Sequence, residues 1–244
     1  MQFLTLLASL VAVVCVFCPH EFAHAFVAYK NGDPTAKFNG RLTLNPLKHI
    51  DPAGFIACAL VGFGWARPVP INPYNFKNYK VGMFTTAIAG VCVNYVIAFI
   101  AYPLFIAFNL YVVPHLSGNV GYYIVYFVSD VLYLIFAYSL CSVVFNLLPL
   151  EPLDGFRVVE ALTREVNPVQ RFLRKYGRTI LLALIIESFL CGLLGRIDWL
   201  AYEGVFAKIF YYVAEYGDIL GHLMNFATEI IGWPIQAIWS LVLL

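Results

Sequence analysis

Charge is what this chain lacks. Asp, Glu, Lys and Arg supply 12% of its 244 residues, about half the share found in an ordinary soluble domain. Residues 3–18 carry no charge at all. Hydrophobic residues make up 61% of the chain and its mean hydropathy is +0.79. Too few polar groups are available to cover a water-facing surface. The expectation is an all-α polytopic membrane protein, since a helix satisfies its own backbone groups in lipid. The net charge of +1 gives no footing for nucleic-acid binding. Internal repeats, low-complexity tracts and a soluble domain are also missing.

The apolar N-terminal run has the look of a secretion signal. It has no basic leading segment and no small-residue cleavage site, and it is read as a retained first span. The cysteines, Cys15, Cys18, Cys58, Cys92, Cys141 and Cys191, all lie in apolar segments. There they are expected to pack as small apolar residues and need not pair. The CxxC of Cys15 and Cys18 also admits a metal or redox role.

Apolar segments run over residues 3–29, 84–113, 120–148 and 180–194, with a tail over 199–244. The tail is interrupted at residues 215–218, so it reads as one span plus an interfacial helix or as two spans. Residues 52–66, with Gly54, Gly62 and Gly64, are too few to cross and read as re-entrant. Residues 41–46 alternate polar and apolar and read as a short strand, whose open edge could receive an unwound substrate. The expected architecture is about five to six transmembrane helices, with a short membrane-associated β or re-entrant segment after the first. Residues 1–160 would form the core. Residues 161–244 would supply a cytoplasmic amphipathic segment and the C-terminal spans.

Lys and Arg are clustered. Residues 30–80 and 151–178 hold 13 of the 15, and the loop 113–119 between them holds none. By the positive-inside rule both clusters face the cytoplasm and the N-terminus lies outside. Residues 156–178 read as a basic amphipathic stretch resting on the inner leaflet.

Against this apolar background stands His20-Glu21-Phe22-Ala23-His24. Ionisable groups at membrane depth are expensive, and are kept for function. Histidines four apart share one helical face, with Cβ atoms roughly 5–6 Å apart, a geometry suited to one zinc ion. Glu21, one step round the helix, is placed to act as general base toward zinc-bound water. Pro19, just before the motif, suits a kink or local opening. Two histidines and a water leave zinc one protein ligand short. Asp130, Glu187, His49, His115 and His222 are weaker candidates than Asp154. Asp154 lies just after a span on the same side as the histidines, where Pro149 and Pro152 break the helix and Gly155 permits close approach.

HExxH on an early span, followed by Asn146-x-x-Pro149-x-x-Pro152-Leu153-Asp154-Gly155, resembles the site-2 intramembrane metalloproteases. Residues 30–73 resemble the compact prokaryotic members without PDZ or CBS domains, through Gly40-Arg41-Leu42-Thr43-Leu44-Asn45-Pro46 and Gly64-Trp65-Ala66-Arg67-Pro68-Val69-Pro70-Ile71-Asn72-Pro73. The resemblance covers roughly residues 12–160. It implies one Zn2+ per chain held by His20, His24 and Asp154, with Glu21 as general base and acid. It also implies that Asn146 stabilises the oxyanion or positions substrate. Gly90 and Asn94 match a Gly-x-x-x-Asn element in which Val91 replaces the usual proline.

The function expected is zinc-dependent intramembrane cleavage of transmembrane substrates near the cytoplasmic side of a prokaryotic plasma membrane. Its partners would be the lipid bilayer and a transmembrane protein substrate, with self-association left open. The alternative is a non-proteolytic metal-binding membrane scaffold or regulator. Retention of Glu21 argues against that alternative, because a structural metal needs no base.

Overall fold

A computed structural model describes residues 2–61, 64–116, 118–163, 167–198 and 204–243. Gly62, the basic Arg164, the apolar Val166 and the start of the tail at Trp199 lie outside the described residues. The chain is built from helices in the order α1 (Gln2–Lys30), α2 (Thr35–Phe38), α3 (Pro46–His49), α4 (Pro52–Val61), α5 (Tyr79–Ala107), α6 (Gly118–Leu147), α7 (Asp154–Leu162), α8 (Pro168–Leu194), α9 (Val205–Tyr216) and α10 (Ile219–Leu243). Five segments are long and apolar enough to cross a bilayer: Phe3–Lys30, Tyr79–His115, Gly121–Leu147, Pro168–Leu194 and Val205–Leu243. The protein is an all-α polytopic membrane protein.

α1, α5 and α6 pack together as the inner helices. Small residues make this close approach feasible, as is usual between helices in lipid. Ala8, Ala12, Ala25 and Ala28 of α1 and Ala87, Gly90, Ala98 and Ala101 of α5 are buried. α10 closes against α5 and α6 through a cluster of Ala98, Ala101, Phe136, Leu140 and Ile235. Trp239 Nε1 reaches across to donate to the Phe99 carbonyl at 3.0 Å. Elsewhere the helices are studded with exposed apolar side chains, among them Leu182, Ile186, Phe189, Phe226 and Trp233. Such a surface fits hydrocarbon and not water.

The tail resolves into a short and a long helix. α9, with 12 residues, reaches about 18 Å, which falls short of a hydrocarbon core of roughly 30 Å. α10, with 25 residues, is long enough. Asp218 at the break caps α10, its carboxylate accepting from the Gly221 amide at 2.6 Å.

One expectation is corrected. The short strand over residues 41–46 does not form. Among the described residues the β structure is a single antiparallel bridge between Ile50 and Ala66, and Pro46 instead opens α3 behind an Asn45 cap. The basic stretch 156–178 lies on two helices. It divides into α7 and the opening turns of α8, with Asn167 capping α8 and Pro168 in its first turn. Arg174–Glu160 at 2.6 Å and Arg178–Glu151 at 2.7 Å then tie α8 back to α7 and its leading loop.

α4 is a ten-residue helix, too short to cross. The chain beyond it returns along residues 66–71 toward α1. This return is pinned by the Arg67 amide on the His49 carbonyl at 2.8 Å and by the buried Arg41 guanidinium on the Arg67 carbonyl. Val69 is buried with Ala25 and Ala36.

Candidate metal centre

α1 runs on through Pro19 without a break. Pro19 has no amide hydrogen, so the Cys15 carbonyl loses its usual partner one turn before the motif. His20 and His24 leave this helix on the face turned toward α5, and both are buried. Asp154 is the first residue of α7, where its negative charge suits the helix N-terminus. Gly155 is required for α7 to start there. A Cβ at that position would lie 2.4 Å from the carbonyls of Leu147 and Leu148 at the end of α6.

The three side chains converge. His20 Nε2 and His24 Nε2 are 3.0 Å apart, and Asp154 Oδ2 is 3.3 Å from the first and 3.0 Å from the second. Ligand bonds of about 2.0–2.1 Å in a tetrahedral site place donor atoms about 3.3 Å apart. The chemistry of the donors points the same way. His24 Nδ1 lies 2.7 Å from the Thr86 carbonyl, which can only accept, so Nδ1 holds the ring proton. The Nε2 lone pair then faces the Asp154 oxygen. Two lone pairs at that separation repel unless a cation or a proton lies between them. The residues present therefore fit a zinc ion.

Among the described residues His20, His24 and Asp154 are the single group with this geometry. The weaker candidates have other employment. Asp130 accepts from the Thr5 hydroxyl at 3.0 Å, Glu187 from the Ile219 amide at 3.1 Å, His49 meets the Thr43 carbonyl at 2.6 Å, and His222 meets the Glu215 carbonyl at 3.2 Å. His115 lies in the short helical turn after α5.

Glu21 is half-buried beside the group, and its Oε2 accepts from the Val69 amide at 2.9 Å. Asn146, near the end of α6, donates through Nδ2 to the Ser142 carbonyl at 3.0 Å and lies 3.2 Å from the Ser142 hydroxyl. A cavity of about 160 Å3 is lined by Ile71, Met83, Thr86, Arg157 and Glu160.

The Val69 contact and the part played by Thr86 were not readable from the sequence, whereas Gly90 and Asn94 stand out there through the Gly-x-x-x-Asn resemblance. Thr86 and Asn94 meet the two imidazoles, and Gly90 leaves room for them. A Cβ on Gly90 would stand 2.5 Å from His20 Cε1 and from His24 Nε2. The four-residue spacing of Gly90 and Asn94 was the available signal.

Fold and site together define a multi-pass membrane protein with a buried His–His–Asp group that could hold a metal ion. The relatives narrow the class. The chain is 40% identical over 186 residues, 75% of its length and 82% of the relative's, to the Bacillus subtilis (strain 168) protein named "Putative zinc metalloprotease YwhC". It is 30% identical over 182 residues, 71% of its length and 64% of the relative's, to "Putative zinc metalloprotease Rip2" of Mycolicibacterium smegmatis. A Mycobacterium tuberculosis (strain H37Rv) protein of the same name is 28% identical over 192 residues, 75% of this chain and 68% of the relative. The chain belongs to this zinc metalloprotease family. No family model matches it, and no solved structure does.

Proposed function

We propose that the protein is a zinc-dependent intramembrane endopeptidase that cleaves transmembrane substrates near the cytoplasmic face of a prokaryotic plasma membrane. The observation that carries this reading is the convergence of His20, His24 and Asp154 within 3.3 Å, between a membrane-length helix and the end of another. The sequence resemblance to site-2 intramembrane metalloproteases supports the same reading.

When bound, zinc would supply Lewis acidity toward the scissile carbonyl and lower the pKa of an attacking water. His20, His24 and Asp154 would hold it. Glu21 takes the proton from that water and delivers it to the leaving amine. The Val69 amide keeps the Glu21 carboxylate from swinging away. Asn146 turns its amide toward the developing oxyanion once substrate is seated. A substrate helix must unwind first, because its own hydrogen bonds shield the peptide bond. The density of Lys and Arg in residues 30–80 and 151–178 supports a site toward the cytoplasm.

The test is cleavage of a transmembrane substrate library by purified wild-type protein and Glu21→Gln in detergent, with and without chelator. Expected are cleavage by wild type, loss on chelation, and no cleavage by Glu21→Gln at unchanged zinc content. Full activity in Glu21→Gln would reject the mechanism. Cleavage confined to soluble peptides would reject the substrate class.

A further inference from the structure

Thr86, Gly90 and Asn94 recur every four residues on α5 and so share one face of it. Both imidazoles lie on that face. Thr86 offers its carbonyl to His24, and Gly90 offers space. Asn94 is fully buried. Its Nδ2 lies 3.1 Å from His20 Nδ1 and 2.8 Å from the Ser142 hydroxyl, while its Oδ1 is buried with no partner.

That orientation is chemically unbalanced. A histidine that binds metal through Nε2 keeps its proton on Nδ1 and needs an acceptor there. His20 Nδ1 would instead face an amide donor. The imbalance lies at His20, since the Ser142 oxygen has two lone pairs and can accept from both Asn94 Nδ2 and Asn146 Nδ2. The two ends of a carboxamide are nearly isosteric, so hydrogen-bond chemistry decides which way it points. A half-turn about χ2 puts Oδ1 opposite both His20 Nδ1–H and the Ser142 hydroxyl, and moves Nδ2 to the buried position where Oδ1 had no partner. A carbonyl oxygen has two lone pairs and accepts from both. The Ser142 oxygen remains free to accept from Asn146.

We propose that Asn94 is a positioning residue of the metal centre. Its side-chain carbonyl holds His20 in the Nδ1–H tautomer and, through Ser142, joins that ligand to Asn146. The inference rests on the metal-centre reading above. It also extends that reading, since one face of α5 now orients both histidines: Thr86 acts on His24 and Asn94 on His20.

The experiment measures zinc dissociation constants by chelator competition on full-length protein in detergent, with size-exclusion profiles as the folding control. Asn94→Leu removes the acceptor at similar volume. Asn94→Asp restores an acceptor. Loss of an outer partner of a ligating histidine weakens metal binding about 10–100-fold, and this is expected for Asn94→Leu. Asn94→Asp is expected to bind zinc at least as tightly as wild type. A role in packing alone predicts the reverse order, because Asp would bury a new charge. Wild-type affinity in Asn94→Leu, or equal loss in the two variants, overturns the proposal. If Asn94→Leu does not fold, Asn94→Asp decides alone, and weakening of about tenfold or more overturns it. A wild-type protein that binds no zinc would overturn the underlying metal-centre reading, which separates the two failures.

Discussion

The amide of Val69 donates to Oε2 of Glu21 across 2.9 Å, although the two residues lie on separate elements. Pro68 and Pro70 flank Val69 and have no amide hydrogen. Val69 is thus the one backbone donor in that short stretch, and it is spent on the carboxylate proposed as general base. Hydrogen bonds to charged groups contribute about 1.5–3 kcal/mol, so losing this one should lower turnover roughly 10–100-fold. Val69→Pro should do so with zinc content unchanged, whereas Val69→Ala, which keeps the amide, should retain most activity. Steady-state cleavage kinetics on both variants check this, and full turnover in Val69→Pro would refute it.

Gly90 admits no side chain. A Cβ would stand 2.5 Å from both imidazoles, and α5 cannot retreat without opening its packing on α1. Gly90→Ala should abolish cleavage and leave the purified protein with little zinc, read by atomic emission. Zinc at the wild-type ratio in Gly90→Ala would contradict the close approach described here.

Asp154 should be indispensable to the metal and replaceable in the fold. Asp154→Asn keeps the shape but not the charge, and Asp154→Ala keeps neither. Both should lose zinc and activity while remaining monodisperse, because burial of the unpaired carboxylate costs folding energy that both variants avoid. Retained zinc in Asp154→Ala would remove Asp154 from the ligand set.

Asp33 makes an acid-sensitive clasp between the end of α1 and the loop after the return segment. Burial works to raise its pKa, but hydrogen bonds from the Thr35 hydroxyl, the Asn75 amide and the backbone amides of Asn72 and Thr35 lower it on balance. A carboxyl whose folded-state pKa lies below its unfolded value of about 3.9 gives its full stabilisation above that value. The stabilisation is lost as pH falls through the folded-state pKa. Asp33→Asn sets an amide donor against one of these donors and should cost about 1–3 kcal/mol near neutrality. Thermal unfolding in detergent across pH 3–7 should show the gap between wild type and variant closing toward the acid end. A gap that does not change with pH would refute the assignment.

The sequence made some parts of this protein plain. Scarce charge and long apolar runs leave self-satisfied helices as the available structure in lipid. His20, Glu21 and His24 sit within one helical turn and a little more, so their shared face follows from helix geometry. Asp154 could be inferred at a distance, because prolines and a glycine mark where a chain can turn a carboxylate inward. Residues 41–46 misled, since Pro46 and the Asn45 cap favoured a helical turn over the alternating pattern.

By itself the sequence determined the membrane class and the His–Glu–His motif, because both depend on local composition and fixed helical periodicity. Tertiary structure alone decided that Asp154 meets both histidines, that Val69 holds Glu21, and that Thr86, Gly90 and Asn94 line the imidazoles. Those relations join residues far apart in the chain. They are set by how closely α1, α5 and α7 can pack, which no periodicity within one helix encodes.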